Sequence, residues 1–174
     1  PEAPENKRLH GSLGHAVSRD MLHWENKEPI LFPSEEGKYD DDELWTGSAI
    51  IESGKVYLYY AANQRLGEDY PELSHDASIA LAISEDGYKF EKYEGNPVLE
   101  LDPSIYTTKD NYPKLRVHGF GRIDCRDLCV VRDIEGNGYW GYFAARISAD
   151  ECAKTSVIGL AHSDDLLHWE HRGI

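Results

Sequence analysis

Apolar and polar residues alternate with a period of two along much of this chain. Val56, Leu58 and Tyr60 alternate with Tyr57 and Tyr59, the period of a β-strand. The stretches 44–52 and 55–62 flank Ser53-Gly54, a hairpin turn signal. The stretches 126–133 and 139–147 likewise flank Glu135-Gly136-Asn137-Gly138. No stretch carries a convincing helical period, so the pattern predicts an all-β protein.

An internal repeat organises these strands. Ser18-Arg19-Asp20-Met21-Leu22-His23-Trp24-Glu25 returns as Ser84-Glu85-Asp86-Gly87-Tyr88-Lys89-Phe90-Glu91 and again as Ser163-Asp164-Asp165-Leu166-Leu167-His168-Trp169-Glu170. Small or apolar strand-like stretches precede each copy, at 13–17, 79–83 and 157–162. The Ser and Asp side chains suit a turn in which they bond backbone groups two residues on. The Trp or Phe is then expected to open the next strand and bury its ring between neighbouring sheets. Four-stranded units over 42–99 and 123–174, after the closing part of an earlier unit, are the signature of propeller blades. The expected fold is a β-propeller with about two full blades plus part of a third: 1–33 ends one blade, 34–100 is the second and 101–174 the third. A closed propeller needs at least four blades, so the chain is expected to be a piece that needs the remainder of the propeller to close. The copies lie further apart than the roughly 40–50 residues of a minimal blade. The surplus falls in 63–77 and 101–122, which read as loops and hence as places for binding residues.

Charge narrows the partners. The formal net charge is −14, from 32 Asp and Glu against 18 Lys and Arg, which disfavours nucleic acid and anionic membranes. No apolar run is long enough to cross a bilayer as a helix, and the residues from Pro1 to Arg8 have no apolar region of a signal peptide. Cys125 and Cys129 would stand about 13 Å apart on an extended strand, too far for a disulfide. With Cys152 they read as buried free thiols, leaning towards a reducing, cytoplasmic compartment. No metal-ligand spacing, P-loop or dinucleotide fingerprint is present, so neither metal nor cofactor is expected. The acidic run Asp40-Asp41-Asp42-Glu43 reads as a solvated turn rather than a calcium loop.

The stretch from Gly14 to Glu25 resembles glycoside hydrolase family 32, the invertases, inulinases, levanases and sucrose-6-phosphate hydrolases. Tyr39-Asp40 with Leu44-Trp45-Thr46-Gly47-Ser48-Ala49 is similar to that family's next motif, an aromatic residue followed by Ser-Gly-Ser-Ala. Cys125-Arg126-Asp127-Leu128 is similar to its Arg-Asp-Pro motif, with Leu128 in place of Pro. The resemblance implies a five-bladed propeller that cleaves β-fructofuranosidic bonds with retention. It implies that Asp127 stabilises the transition state by binding sugar hydroxyls, with Arg126 orienting it, and that Trp45 and Ser48 line the substrate pocket. Thr46, in place of the family's Ser, is expected to change little. The bland alternatives are an Arg–Asp pair serving structure and an aromatic packing at a strand start.

The family's nucleophile lies in an Asn-Asp-Pro-Asn-Gly motif and its general acid in a Trp-Glu-Cys-Pro motif, and this chain has neither. Glu151-Cys152 lacks the flanking Trp and Pro and is not expected to be the acid. The chain alone is therefore expected to be inactive. Rival readings are an arabinan- or xylan-cleaving relative of family 43 and a sugar-binding propeller without catalysis.

Overall fold

The computed structural model describes residues 11–70, 73–112, 123–149 and 152–174, with backbone alone at 148–149 and 152–155. Among the described residues there are ten strands and no helix: β1 (Leu13–Ser18), β2 (Trp24–Leu31), β3 (Glu43–Glu52), β4 (Lys55–Arg65), β5 (His75–Ser84), β6 (Glu91–Lys92), β7 (Arg126–Arg132), β8 (Tyr139–Ala149), β9 (Cys152–Ser163) and β10 (Glu170–Gly173). They form a β1–β2 ribbon and two four-stranded sheets, β3-β4-β5-β6 and β7-β8-β9-β10. Every pairing within them is antiparallel. Two apolar cores lie between these layers. One joins the ribbon to the first sheet through Leu31, Leu44, Tyr60 and Ala80. The other joins the two sheets through Tyr59, Ile79, Leu128 and Phe143. Face-to-face stacking of meandering four-stranded sheets is a partial β-propeller. β3 lies against β7, and this adjacency builds the candidate site.

The three copies of the repeat form one turn made three times. Each Ser hydroxyl accepts the backbone N–H three residues on, at 2.8–2.9 Å: Ser18 from Met21, Ser84 from Gly87 and Ser163 from Leu166. Each Asp carboxylate then accepts two further N–H groups, Asp20 from Leu22 and His23, Asp86 from Tyr88 and Lys89, and Asp165 from Leu167 and His168. The fourth position is left-handed every time, with φ of 62° at Met21, 74° at Gly87 and 70° at Leu166. Only the middle copy supplies the glycine this backbone favours. Leu166 compensates by being buried, and its carbonyl accepts the Tyr59 hydroxyl of the neighbouring sheet at 2.7 Å.

The aromatic residues of the repeat divide. Phe90 packs into the core between ribbon and first sheet. Trp169 meets Tyr59 across the two sheets, edge to face, at 5.7 Å. Trp24 instead is 59% exposed, because no described sheet covers that side of the ribbon. The expected packing between sheets therefore holds for Phe90 and Trp169, which are partly buried, and not for Trp24.

Three other expectations change. The β4–β5 ladder continues through Asn63↔Ala77, Gln64↔Asp76 and Arg65↔His75, so the loop expected at 63–77 is shorter. Backbone pairing is indifferent to the polar side chains that interrupt the apolar pattern there. Cys125 is buried, and that burial pushes its thiol pKa up, but Cys129 is exposed. Leu128 fills the core, so its neighbour in β7 points to the other face. The side chains of Glu151 and Cys152 lie outside the described residues.

The acidic run is also not a solvated turn. Asp40 is fully buried and receives Lys92 Nζ at 2.5 Å and the Tyr60 hydroxyl at 3.1 Å. Asp41 accepts backbone N–H groups of Gly37 and Arg65, Asp42 pairs with Arg65 and His75, and Glu43 accepts the Trp45 indole N–H. Each acid serves its own partner and they converge on no common centre.

Candidate active site

The site forms where β3 and β7 each carry a bulge near their first residues. In β3 the register shifts between Trp45 and Gly47. Gly47 permits it: a Cβ there would sit 2.0 Å from the Tyr59 carbonyl oxygen. A bulge adds a residue to one strand and reverses which side chains face which way beyond it. Thr46 is the residue left unpaired, and its hydroxyl donates to Asp127 Oδ1 on the neighbouring sheet.

In β7 the register shifts between Arg126 and Cys129. Within that irregularity Asp127 has φ of 58°, a region that a side chain with a Cβ seldom adopts. Consecutive strand residues normally point to opposite faces. Here Arg126 Nη1 reaches Asp127 Oδ2 of the next residue at 2.6 Å. Both side chains are partly open, 34% for Arg126 and 38% for Asp127. Burial works against the Arg126 charge, but Asp124 and Asp127 outweigh it and raise its pKa above the usual value. The result is an arginine–carboxylate pair at an open edge, with the carboxylate held from two sides.

Trp45 is half-buried, next to Thr46 on β3. Its indole N–H donates to Glu43 at 2.6 Å, and its ring meets His75 at 5.9 Å, nearly perpendicular. Ser48 is placed differently from Thr46. Its hydroxyl donates to the Leu128 carbonyl at 2.6 Å and accepts the Val130 N–H at 3.4 Å, joining β3 to β7. Leu128, where the motif has Pro, is fully buried against Gly141.

Two further residues complete the cluster. Asp124 is 4% exposed and accepts Arg126 Nε at 3.0 Å and, on its other oxygen, Arg146 Nε from β8. Neither Asp124 nor Arg146 stands in a motif. The available signal was the i, i+2 spacing of Asp124 and Arg126, which places opposite charges on one side of an extended chain.

Stacked antiparallel four-stranded sheets of this kind are blades of a partial β-propeller, and Thr46, Arg126 and Asp127 meet where β3 and β7 lie side by side. Residues 4–121 match the family model described as the glycosyl hydrolases family 32 N-terminal domain. The chain belongs to that family. Arg126 and Asp127 lie just beyond the matched span.

A sucrose-6-phosphate hydrolase of Bacillus subtilis is 31% identical over 105 residues, covering 60% of this chain and 20% of that protein. A β-1,2-mannobiose phosphorylase of Thermoanaerobacter is 31% identical over 150 residues, covering 76% of this chain and 48% of that protein. Among solved structures, a variant of the family 32 β-fructofuranosidase of Bombyx mori in complex with sucrose superposes with a TM-score of 0.65 at 26% identity, covering 91% of this chain and 27% of that one. The chain thus spans between about a fifth and a half of the length of these proteins.

Proposed function

We propose that the protein hydrolyses β-fructofuranosidic bonds of sucrose, sucrose 6-phosphate or fructans with retention, and that Asp127 stabilises the transition state. The observation that carries this reading is the partly open Asp127 carboxylate, fixed by Arg126 on one oxygen and Thr46 on the other. A carboxylate so held accepts hydrogen bonds from sugar hydroxyls that strengthen as positive charge develops on the sugar ring. Trp45, next to Thr46 on β3, offers an aromatic wall. Ser48 acts behind it by tying the two strands together. A retaining mechanism needs two reacting carboxylates roughly 5 Å apart. We assign these to sequence outside the 174 residues, so this chain by itself is inactive.

The test is the protein, extended to the length of its relatives, assayed on sucrose, sucrose 6-phosphate, inulin, levan and arabinan. Release of free fructose supports the reading. Release of arabinose alone contradicts it in favour of a family 43-like activity, and binding without release favours a non-catalytic propeller.

A further inference from the structure

We infer that Asp124 is a positioning residue that sets the strength of Asp127 as a hydrogen-bond acceptor by restraining Arg126. The inference rests on the reading of Asp127 given above. Arg126 uses two different nitrogens: Nε donates to Asp124 Oδ1 at 3.0 Å and Nη1 to Asp127 Oδ2 at 2.6 Å. A guanidinium free to turn would face a carboxylate with both nitrogens of its fork in a bidentate pair. Asp124 holds the Nε side elsewhere, so Asp127 is met at one oxygen and its other oxygen is left to Thr46.

Asp124 is itself held still. It is almost completely buried, and its second oxygen takes Arg146 Nε from the adjacent strand β8. Among the described residues, two carboxylates and two arginines thus alternate in a chain, Arg146–Asp124–Arg126–Asp127. A neutral residue at 124 weakens the hold on Arg126 Nε. Arg126 then turns fully onto Asp127, draws its carboxylate away from Thr46 and weakens it as an acceptor for sugar hydroxyls.

The experiment is a double-mutant cycle in the protein extended to the length of its relatives, with sucrose as substrate. Asp124→Asn is expected to lower kcat by about 10- to 100-fold, the cost of misplacing a catalytic group by around an ångström. KM should move by less than about 3-fold, since transition-state binding is what weakens. Combined with Asp127→Asn, it should cause no loss beyond that of Asp127→Asn alone, which a purely structural role would not produce. Arg126→Lys supplies the second arm, because an ammonium is a point charge without the guanidinium's fixed fork and can meet the two carboxylates only from a single nitrogen. It should give a similar loss and be equally non-additive with Asp127→Asn, so the claim stays testable if Asp124→Asn fails to fold.

Losses that multiply, or an Asp124→Asn variant as active as the parent, overturn the positioning role while leaving Asp127 in place. An Asp127→Asn variant that keeps full activity overturns the reading of Asp127 and the inference with it.

Discussion

Asp127 is fixed at three points: Oδ1 by the Thr46 hydroxyl, Oδ2 by Arg126, and its backbone by a left-handed φ of 58°. Arg126 and Asp127 were legible in the sequence because they are adjacent and belong to a short motif. Thr46 was not. Alternation assigns facing residues by counting in twos, and the bulge at Trp45–Gly47 breaks the count. It brings the threonine to the carboxylate and leaves Ser48 on the backbone of Leu128. Thr46→Val should therefore lower kcat/KM by about 10-fold while Thr46→Ser stays within about 3-fold, the scale of one hydrogen bond that positions the carboxylate. Steady-state kinetics on sucrose check this. Gly47→Ala tests the bulge itself. Its Cβ would collide with the Tyr59 carbonyl, so denaturant unfolding should show a loss of about 1–3 kcal/mol.

At the scale of the element, the Ser-x-Asp turn was readable almost completely, because its side chains bond only within a few residues. Its fourth position shows how one backbone demand meets two environments. Met21 is 79% exposed and strained at φ of 62°. Met21→Gly relieves about 1 kcal/mol of left-handed strain and leaves no cavity, so it should raise the melting temperature. Leu166 has the same backbone but is 1% exposed. Leu166→Gly relieves the same strain and loses a buried side chain worth about 2–5 kcal/mol, so it should lower it. Thermal melts of the two variants should move in opposite directions.

The same turns give the fold an acid limit. At Asp165 burial raises the pKa, but hydrogen bonds from His168 and Leu167 outweigh it and lower the value from 3.8 to about 2. Asp86 is lowered by the Lys89 and Tyr88 N–H groups, and Asp20 chiefly by the His23 side chain. Groups with depressed folded pKa values take up protons on unfolding. Their stabilisation is complete above the ordinary aspartate pKa and is lost as pH falls towards the folded value. Melting temperature should therefore be flat near neutral pH and fall below about pH 4. Asp165→Asn, which cannot take up that proton, should show a shallower fall over the same range.

For the whole molecule, the strand pattern and the threefold repeat identified stacked antiparallel sheets, and the structure and family match agree with that. What the sequence left hidden depends on contacts between layers. The burial of Asp40 against Lys92 and Tyr60 joins residues far apart in the chain. The exposure of Trp24 beside the partial burial of Trp169 depends on which sheet lies next to each ring. The Arg146–Asp124–Arg126 chain, centred on the buried Asp124, likewise needs β7 and β8 side by side. The proposed activity also belongs to this scale, since the family's two reacting carboxylate motifs are not in these 174 residues. The most direct measurement is kcat/KM for sucrose hydrolysis by the protein extended to its relatives' length, beside its Asp127→Asn variant. The predicted result is fructose release by the parent and a loss of about 10²- to 10³-fold in the variant, the scale of removing one preorganised transition-state contact. A parent that releases no fructose, or a variant within a few-fold of an active parent, would contradict the account.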